Sequence, residues 1–216
     1  MASFPTGFAE RVETLNGDIG QRGDAALARM QEKGFTVATG LTEYFAGAVG
    51  VMGYQDHIRE YCPKDPTEKR FGTLQSTEKW LQKGGGRGIF LLLRGEGNNA
   101  HLEGYGWTGV EACDELPDHP ITSAYRIGKR GQGQGLGKDF VQSVVSGTNA
   151  LYAPGEGIGL ETWRSNHAAG MYPKVGFKPL AEAPNDELRP TLQPDATDGK
   201  VLDRRLYMGY PSDLLA

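Results

Sequence analysis

One segment of the chain combines glycine, glutamine and lysine in a pattern that suits the binding of a phosphate group. It reads Arg126-Ile-Gly-Lys-Arg-Gly-Gln-Gly-Gln-Gly-Leu-Gly-Lys-Asp-Phe140 and begins in a stretch, 121–127, that predicts a β-strand. Apolar residues over 140–145 predict a helix beginning near Gly137. Glycine allows a ligand to approach the backbone, and free N–H groups at a helix start attract an anion. We therefore predict a phosphate or pyrophosphate site, with Lys138 at its rim.

Two common nucleotide-binding patterns do not fit this segment. A P-loop would need glycine at 132 and serine or threonine at 139, where the chain has Gln132 and Asp139. The dinucleotide pattern Gly-x-Gly-x-x-Gly occurs at 104–109, but an acidic loop containing Pro117 follows it instead of a helix. We interpret that match as chance in a chain with 32 glycines among 216 residues.

The pattern that does fit is Gln-x-x-Gly-x-Gly, beginning at Gln132. It resembles the acetyl-CoA signature of the GCN5-related N-acetyltransferase superfamily, [Gln or Arg]-x-x-Gly-x-[Gly or Ala]. A second register, beginning at Arg130, also satisfies the signature. We prefer the first register because it places Gly137 at the helix start and keeps the superfamily's five-residue gap from Ile127.

A later segment, 160–177, is similar to the superfamily's second block, a strand followed by Asn-x-x-Ala…Tyr-x-Lys-x-Gly-Phe. The matching residues are Asn166, Ala169, Tyr172, Lys174, Gly176 and Phe177. The superfamily usually separates the asparagine from the tyrosine by seven positions, and here the separation is six. The strand spacing favours Asn166 and the helix spacing favours Ser165, so both stay candidates.

The resemblance covers roughly residues 89–210 and implies an α/β (α+β) fold. We expect a mixed, mostly antiparallel sheet flanked by helices and splayed open between its fourth and fifth strands. With 35–39 counted as the first strand, 121–127 is the fourth and 158–162 is the fifth. Residues 1–34 are predicted to form an N-terminal helical extension, and 35–216 a single domain.

The same resemblance implies that acetyl-CoA lies in the wedge between those two strands. Backbone groups at Ile127 would align the pantetheine arm as an added strand would. The remaining predicted contacts are the loop residues Gln132, Gly133, Gln134, Gly135, Leu136, Gly137 and Lys138, with Asn166 or Ser165 beside them.

Acetyl transfer to an amine requires removal of a proton from the ammonium and a proton for the leaving thiolate. By resemblance, Tyr172 would be the general acid; the alternative is a tyrosine that packs against the following turn. Glu161, on the predicted fifth strand, is the first candidate for the base or for acceptor binding. Glu103, which alternation places on one face with His101 and Tyr105, is the second candidate, and a water chain is the third.

The elements around these residues follow from the apolar periodicity. We expect helices over 5–16, over 24–33 with Asp24 as N-cap, in the second half of 41–60, over 74–83 and over 166–174, and further strands over 89–94, 101–107 and 205–210. Two acidic segments, 111–118 and the proline-rich insertion 181–200, are expected to help form the acceptor site. Their negative charge would attract a cationic amine, although a solvated loop is the simpler alternative.

Composition and charge exclude several other classes. The net charge is −4, which argues against a nucleic-acid partner, and no apolar run is long enough to span a membrane. We see no secretion signal, and Cys62 and Cys113 suggest neither a disulfide framework nor a metal site. We expect a cytoplasmic protein without a metal, and the sequence leaves a homodimer open.

Three functions remain at this point. The first is an acetyl-CoA-dependent N-acetyltransferase that moves the acetyl group directly to a primary amine of a small molecule or a protein. The second is a non-catalytic CoA-binding or regulatory module of the same fold, which would not need Tyr172. The third is an unrelated domain with a fortuitous glycine loop, and the block around Tyr172 argues against it.

Overall fold

The computed structural model describes residues 12–53, 71, 73–95, 99–110, 113–182, 187–190, 200–203, 205–211 and 214. Its strands, in chain order, are β1 (Val12–Thr14), β2 (Phe35–Gly40), β3 (Gly88–Arg94), β4 (His101–Val110), β5 (Ile121–Ile127), β6 (Ile158–Trp163), β7 (Lys178–Glu182), β8 (Glu187–Pro190), β9 (Lys200–Asp203) and β10 (Arg205–Tyr210). Eight of these strands form one sheet in the order β1-β2-β3-β4-β5-β6-β10-β7. In this sheet β5 and β6 are parallel and the other neighbours are antiparallel.

Helices cover both faces of the sheet. They are α1 (Gln21–Glu32), α2 (Glu43–Gly53), α3 (Leu74–Leu81), α4 (Gly137–Leu151) and α5 (Tyr172–Val175), with a 3-10 turn at His167–Gly170. Successive strand residues point to opposite faces, so Leu91 packs with α2 and α3 while Phe90 packs with α1 and α4. The mixed, mostly antiparallel sheet between helices confirms the expected fold class.

The strands β5 and β6 diverge after a short parallel contact. They pair only at Ile121 with Ile158 and at Thr122 with Gly159, whereas β5 pairs with β4 along its whole length. The sheet therefore splays between the strands that were expected to be the fourth and the fifth. They are the fifth and sixth in the structure because β1 precedes them.

The first element differs from the prediction. Val12–Thr14 is a strand that pairs with 38–40 of β2, so the helix expected over 5–16 is wrong for its described part, and 5–11 lie outside the described residues. Val12 and Leu15 have helical spacing, but the open edge of β2 offers backbone partners, and the Leu15 N–H donates to the Val37 carbonyl at 2.9 Å. Tertiary pairing overrides the local periodicity here.

One further prediction is wrong, and two others are tested only in part. Asp24 is not the N-cap of α1, since the helix begins at Gln21 and the Asp24 carboxylate instead accepts the Ile19 N–H at 3.2 Å. The helix expected in the second half of 41–60 is described only for 51–53, the last turn of α2, and 54–60 lie outside the described residues. The insertion 181–200 contains the strand β8 and the first residue of β9, and 183–186 and 191–199 lie outside the described residues.

The N-terminal elements pack on the rest of the fold. Met30 of α1 is fully buried in one core cluster with Phe35, Phe90 and Phe140. The division of the chain at residue 34 stays a prediction. Within the part of the chain that the structure describes, no helix is long and apolar enough to cross a membrane.

Candidate active site

A cavity of about 360 Å³ opens where β5 and β6 separate. It is lined by the ends of the two strands, by the glycine loop before α4, by the first turn of α4 and by the segment after β6. The lining residues that matter below are Tyr125, Ile127, Gln132, Gly133, Gly135, Gly137, Glu161, Asn166 and Tyr172. The fold thus brings the two sequence blocks to the walls of one cavity.

The backbone of β5 faces this cavity at alternate residues. Toward β4, the Gly128 N–H donates to the Glu103 carbonyl at 2.7 Å. Toward β6, the Ile121 N–H donates to the carbonyl of Gly157, the residue before β6, at 3.2 Å. Because peptide groups alternate in direction along a strand, those of Tyr125 and Ile127 point away from β4 and toward the cavity. An extended ligand arm with amide groups can therefore align there as an added strand would.

The glycine loop presents backbone N–H groups at one end of the cavity. Gly133 and Gly135 have φ angles of 74° and 67°, which are accessible mainly to glycine. The Gln132 side chain donates to the Ile127 carbonyl at 3.3 Å and closes the loop on β5. The first N–H groups of α4, which begins at Gly137, have no acceptor within that helix. Together with the positive end of the α4 dipole, they can hold a phosphate or pyrophosphate group.

Two of the predicted loop contacts lie outside the cavity wall. The Gln134 side chain accepts a hydrogen bond from Arg94 at 3.0 Å and donates one to the Arg130 carbonyl at 2.6 Å. It therefore ties the loop to β3 instead of pointing at a ligand. Lys138 is exposed on the first turn of α4 and is not among the lining residues. Leu136 lines the cavity but is 1% exposed and packs in the core.

The structure distinguishes between the two candidates after β6. Asn166 lines the cavity, donates to the Thr162 hydroxyl at 3.2 Å and accepts the Ala168 N–H at 3.0 Å. It thereby caps the 3-10 turn that leads to Tyr172. Ser165 lies in the preceding turn and is not among the lining residues. The geometry therefore favours Asn166 as the polar group beside a bound cofactor.

Tyr172 lies in the cavity wall at the start of α5. Its side chain is 6% exposed, and its ring centroid lies 6.1 Å from that of Tyr125 and 5.8 Å from that of Phe177. The Tyr125 hydroxyl donates to Ser123 at 2.9 Å, and burial raises the pKa of Tyr125 far above its ordinary value. Tyr125 thus keeps its proton at neutral pH, and both rings hold the wall of the cavity in place.

Glu161 reaches the cavity from the opposite side. It is exposed on β6 and pairs with Tyr207 of β10. The neighbouring Leu160 packs against α4 on one face of the sheet, so Glu161 points to the other face. Cys113 of the acidic loop is close by: burial, then Glu115 and Glu161, raise the pKa of its thiol. Cys113 is therefore a neutral thiol at pH 7 that donates to Glu115 at 3.3 Å, and not an activated nucleophile.

Glu103 is not brought to the cavity. It is 3% exposed at an irregularity in the β3–β4 pairing, and its carboxylate lies 3.7 Å from the Arg130 guanidinium. It is not among the lining residues. Of the two predicted carboxylates, only Glu161 is placed where an acceptor amine could meet it.

Sequence reasoning missed three charged residues beside the loop. Arg29 donates two hydrogen bonds to Asp139, and Lys33 donates to the Gly135 carbonyl at 3.1 Å. More than 100 positions separate each pair, so no local pattern could have indicated them.

The part of the chain that the structure describes contains no group of three or more His, Cys, Asp or Glu side chains that could hold a metal ion.

Comparisons of sequence find no relative. No family model matches the chain, and no curated protein matches it significantly. Any likeness to known proteins is therefore one of structure.

Solved structures of N-acetyltransferases do superpose on this chain. A ribosomal-protein-S5-alanine acetyltransferase from Vibrio fischeri is 16% identical with a TM-score of 0.59, over 85% of this chain and 96% of that one. A spermidine N-acetyltransferase from Vibrio cholerae, solved in complex with CoA and spermine, is 14% identical with a TM-score of 0.55, over 82% and 96% of the two chains. AAC(6')-Ib, solved in complex with Parmomycin and acetyl-CoA, is 17% identical with a TM-score of 0.50, over 79% of this chain and 92% of that one. The chain therefore has the fold of the superfamily that its two sequence blocks resemble, the GCN5-related N-acetyltransferases.

Proposed function

We propose that this protein is an acetyl-CoA-dependent N-acetyltransferase that transfers the acetyl group directly to a primary amine. The observation that carries the proposal is the cavity between β5 and β6, which has the glycine loop and the start of α4 at one end and Tyr172 in its wall. Solved structures of the same fold that contain CoA or acetyl-CoA support the choice of cofactor.

The residues present fit acetyl-CoA, which when bound supplies an activated acetyl thioester. The loop N–H groups of 133–138 bind its pyrophosphate, because Gly133 and Gly135 have no side chain that would keep a ligand away from the backbone. The backbone of Ile127 orients the pantetheine arm along β5, and the Asn166 side chain contacts it from the opposite wall. These groups hold the thioester in the cleft between the two strands.

Tyr172 is the proton donor of the reaction. As the amine nitrogen bonds to the carbonyl carbon and the carbon–sulfur bond breaks, the sulfur leaves as a thiolate. The Tyr172 hydroxyl delivers a proton to that thiolate and is reprotonated from solvent, which also takes up the protons lost by the amine. A tyrosine among the residues that line the cavity favours the enzyme over the non-catalytic CoA-binding module, which would not need a hydroxyl here.

Glu161 receives the acceptor. Its carboxylate is exposed at the cavity, on the sheet face that carries Asp114, Glu115 and Asp118 in the neighbouring loop. A cationic amine is attracted to this face, and its proton can pass to Glu161 or to a water molecule beside it. One solved structure of this fold is that of a spermidine N-acetyltransferase, so spermidine is a suitable first probe.

Binding of the cofactor is tested by thermal denaturation with acetyl-CoA, CoA and ATP. A ligand present at 100 times its Kd stabilises the folded state by about 2.7 kcal/mol, which for a chain of this size raises Tm by about 5 °C or more. We expect that rise with acetyl-CoA and CoA and a much smaller one with ATP, which lacks the pantetheine arm. If saturating acetyl-CoA leaves Tm unchanged, both the enzyme and the CoA-binding module are wrong.

Substitution of Glu161 by glutamine tests the acceptor side. We expect kcat/KM for a cationic amine to fall about fivefold to tenfold, mostly through KM, since an ion pair at an exposed carboxylate is worth about 1 kcal/mol. Thiol release from acetyl-CoA in a panel of amines measures this. Glu156→Gln, in an exposed turn away from the cavity, is the matched control. Equal kcat/KM for Glu161→Gln and Glu156→Gln would remove Glu161 from the acceptor site.

A further inference from the structure

The C-terminal end of α1 lies against the glycine loop. Arg29 donates two hydrogen bonds, of 2.9 and 2.8 Å, to one carboxylate oxygen of Asp139. Asp139 belongs to the first turn of α4, and its side chain is only 8% exposed. One turn further along α1, Lys33 donates to the Gly135 carbonyl at 3.1 Å and lies 4.0 Å from the other Asp139 oxygen.

The charges in this cluster do not cancel. A buried carboxylate in the first turn of α4 would repel a phosphate held by the N–H groups of that same turn. Arg29 neutralises it through two charge-assisted hydrogen bonds. Lys33 then adds one positive charge beside Gly135, with a side chain that is 42% exposed and can contact a ligand. The cluster of Arg29, Lys33 and Asp139 therefore carries a net charge of +1 at the open side of the loop.

Helix α1 is held firmly in this position. Ala26, Leu27 and Met30 are buried against the sheet and α4. At Gly23 the two helices approach so closely that an added Cβ would lie 2.5 Å from the Cβ of Ser146. The basic end of α1 is thus held in a fixed position beside the loop.

We propose that α1 completes the donor site: Lys33 binds a phosphate group of acetyl-CoA, and Arg29 is a positioning residue that neutralises Asp139 and orients the first turn of α4. This inference rests on the proposed function, because it takes the glycine loop to be the pyrophosphate site. It assigns part of the cofactor site to residues that precede both sequence blocks.

Isothermal titration with CoA at 50 and 300 mM salt tests the role of Lys33. We expect Lys33→Met to weaken CoA binding about tenfold at low salt, and the difference from the unchanged protein to shrink at high salt, since ions screen a charge that is partly exposed. Lys33→Arg keeps the charge and should restore most of the affinity. Lys83→Met, which removes an exposed lysine after α3, is the matched control.

The positioning role of Arg29 is tested by replacing it alone and together with Asp139. Arg29→Met removes both hydrogen bonds to the Asp139 carboxylate beside the anion site, and we expect CoA to bind at least tenfold more weakly. The double variant Arg29→Met with Asp139→Asn removes that carboxylate charge as well and should recover most of the loss. Melting temperatures without ligand, measured for each variant, separate a loss of affinity from a loss of folding.

The outcomes separate this inference from the proposed function. If the unchanged protein does not bind CoA, the proposed function fails and this inference fails with it. If CoA binds and Lys33→Met binds it equally well, or more weakly by the same factor at both salt concentrations, Lys33 does not contact a phosphate. If the double variant is no better than Arg29→Met, Arg29 does not act by neutralising Asp139.

Discussion

Replacement of Tyr172 by phenylalanine is expected to lower kcat about 100-fold or more, because a positioned general acid contributes at least that factor. The change removes one hydroxyl and keeps the ring that packs between Tyr125 and Phe177. We therefore expect the variant to fold normally and to show the same rise in Tm with acetyl-CoA. Thiol release in the presence of a reactive amine measures the loss.

Tyr44→Phe, at a side chain that is 64% exposed on α2, is the control and should be fully active. Unchanged turnover in Tyr172→Phe would remove this residue from the mechanism and would favour the non-catalytic module if no amine is acetylated.

Replacement of Gly104 by alanine is expected to destabilise the fold by about 3 kcal/mol, since a methyl group forced into a packed site displaces its neighbours. A Cβ at this position would lie 2.7 Å from the Arg126 carbonyl oxygen and 3.4 Å from the Ile127 Cα. Both contacts are with the backbone of β5, the strand whose far edge faces the cavity. Because that backbone cannot rotate away as a side chain could, the strain should also displace the cofactor-binding edge.

Denaturant unfolding and a CoA titration together measure the effect of Gly104→Ala. Gly47→Ala is the matched control, because Gly47 is a helical glycine with nothing within 4 Å of an added Cβ. Alanine there should stabilise the protein by about 0.5–1 kcal/mol, the difference in helix propensity. Equal stability of Gly104→Ala and the unchanged protein would show that β4 and β5 do not approach as closely as the structure indicates.

These glycines show why composition alone is ambiguous. The excess of glycine in the sequence first suggests flexible loops, and Gly104 and Gly106 within a strand have no explanation at that level. In the structure Gly104 lies against the backbone of β5, and an added Cβ at Gly106 would lie 3.2 Å from Val144 of α4. Several glycines are therefore present because another part of the chain occupies the space of a side chain.

Much of the fold is predictable from local sequence. The strands β3, β5, β6 and β10 and the start of α4 were predicted to within one or two residues, since each has strong apolar periodicity and a turn at its ends. The first element could not be predicted in this way. The helical spacing of Val12 and Leu15 competes with pairing to β2, whose free edge is visible only in three dimensions.

The sequence by itself predicted the phosphate loop, the cofactor class that its two blocks suggest, and Tyr172 as the residue to test, because those signals are short patterns of neighbouring residues. Tertiary structure alone decided that Asn166 and not Ser165 lines the cavity, that Glu103 is paired with Arg130 outside it, and that Glu161 faces it. It also placed Arg29 and Lys33 beside a loop that lies about 100 residues later. Charge pairs of that kind depend on how helices pack, and packing joins residues whose distance along the chain carries no information about their distance in space.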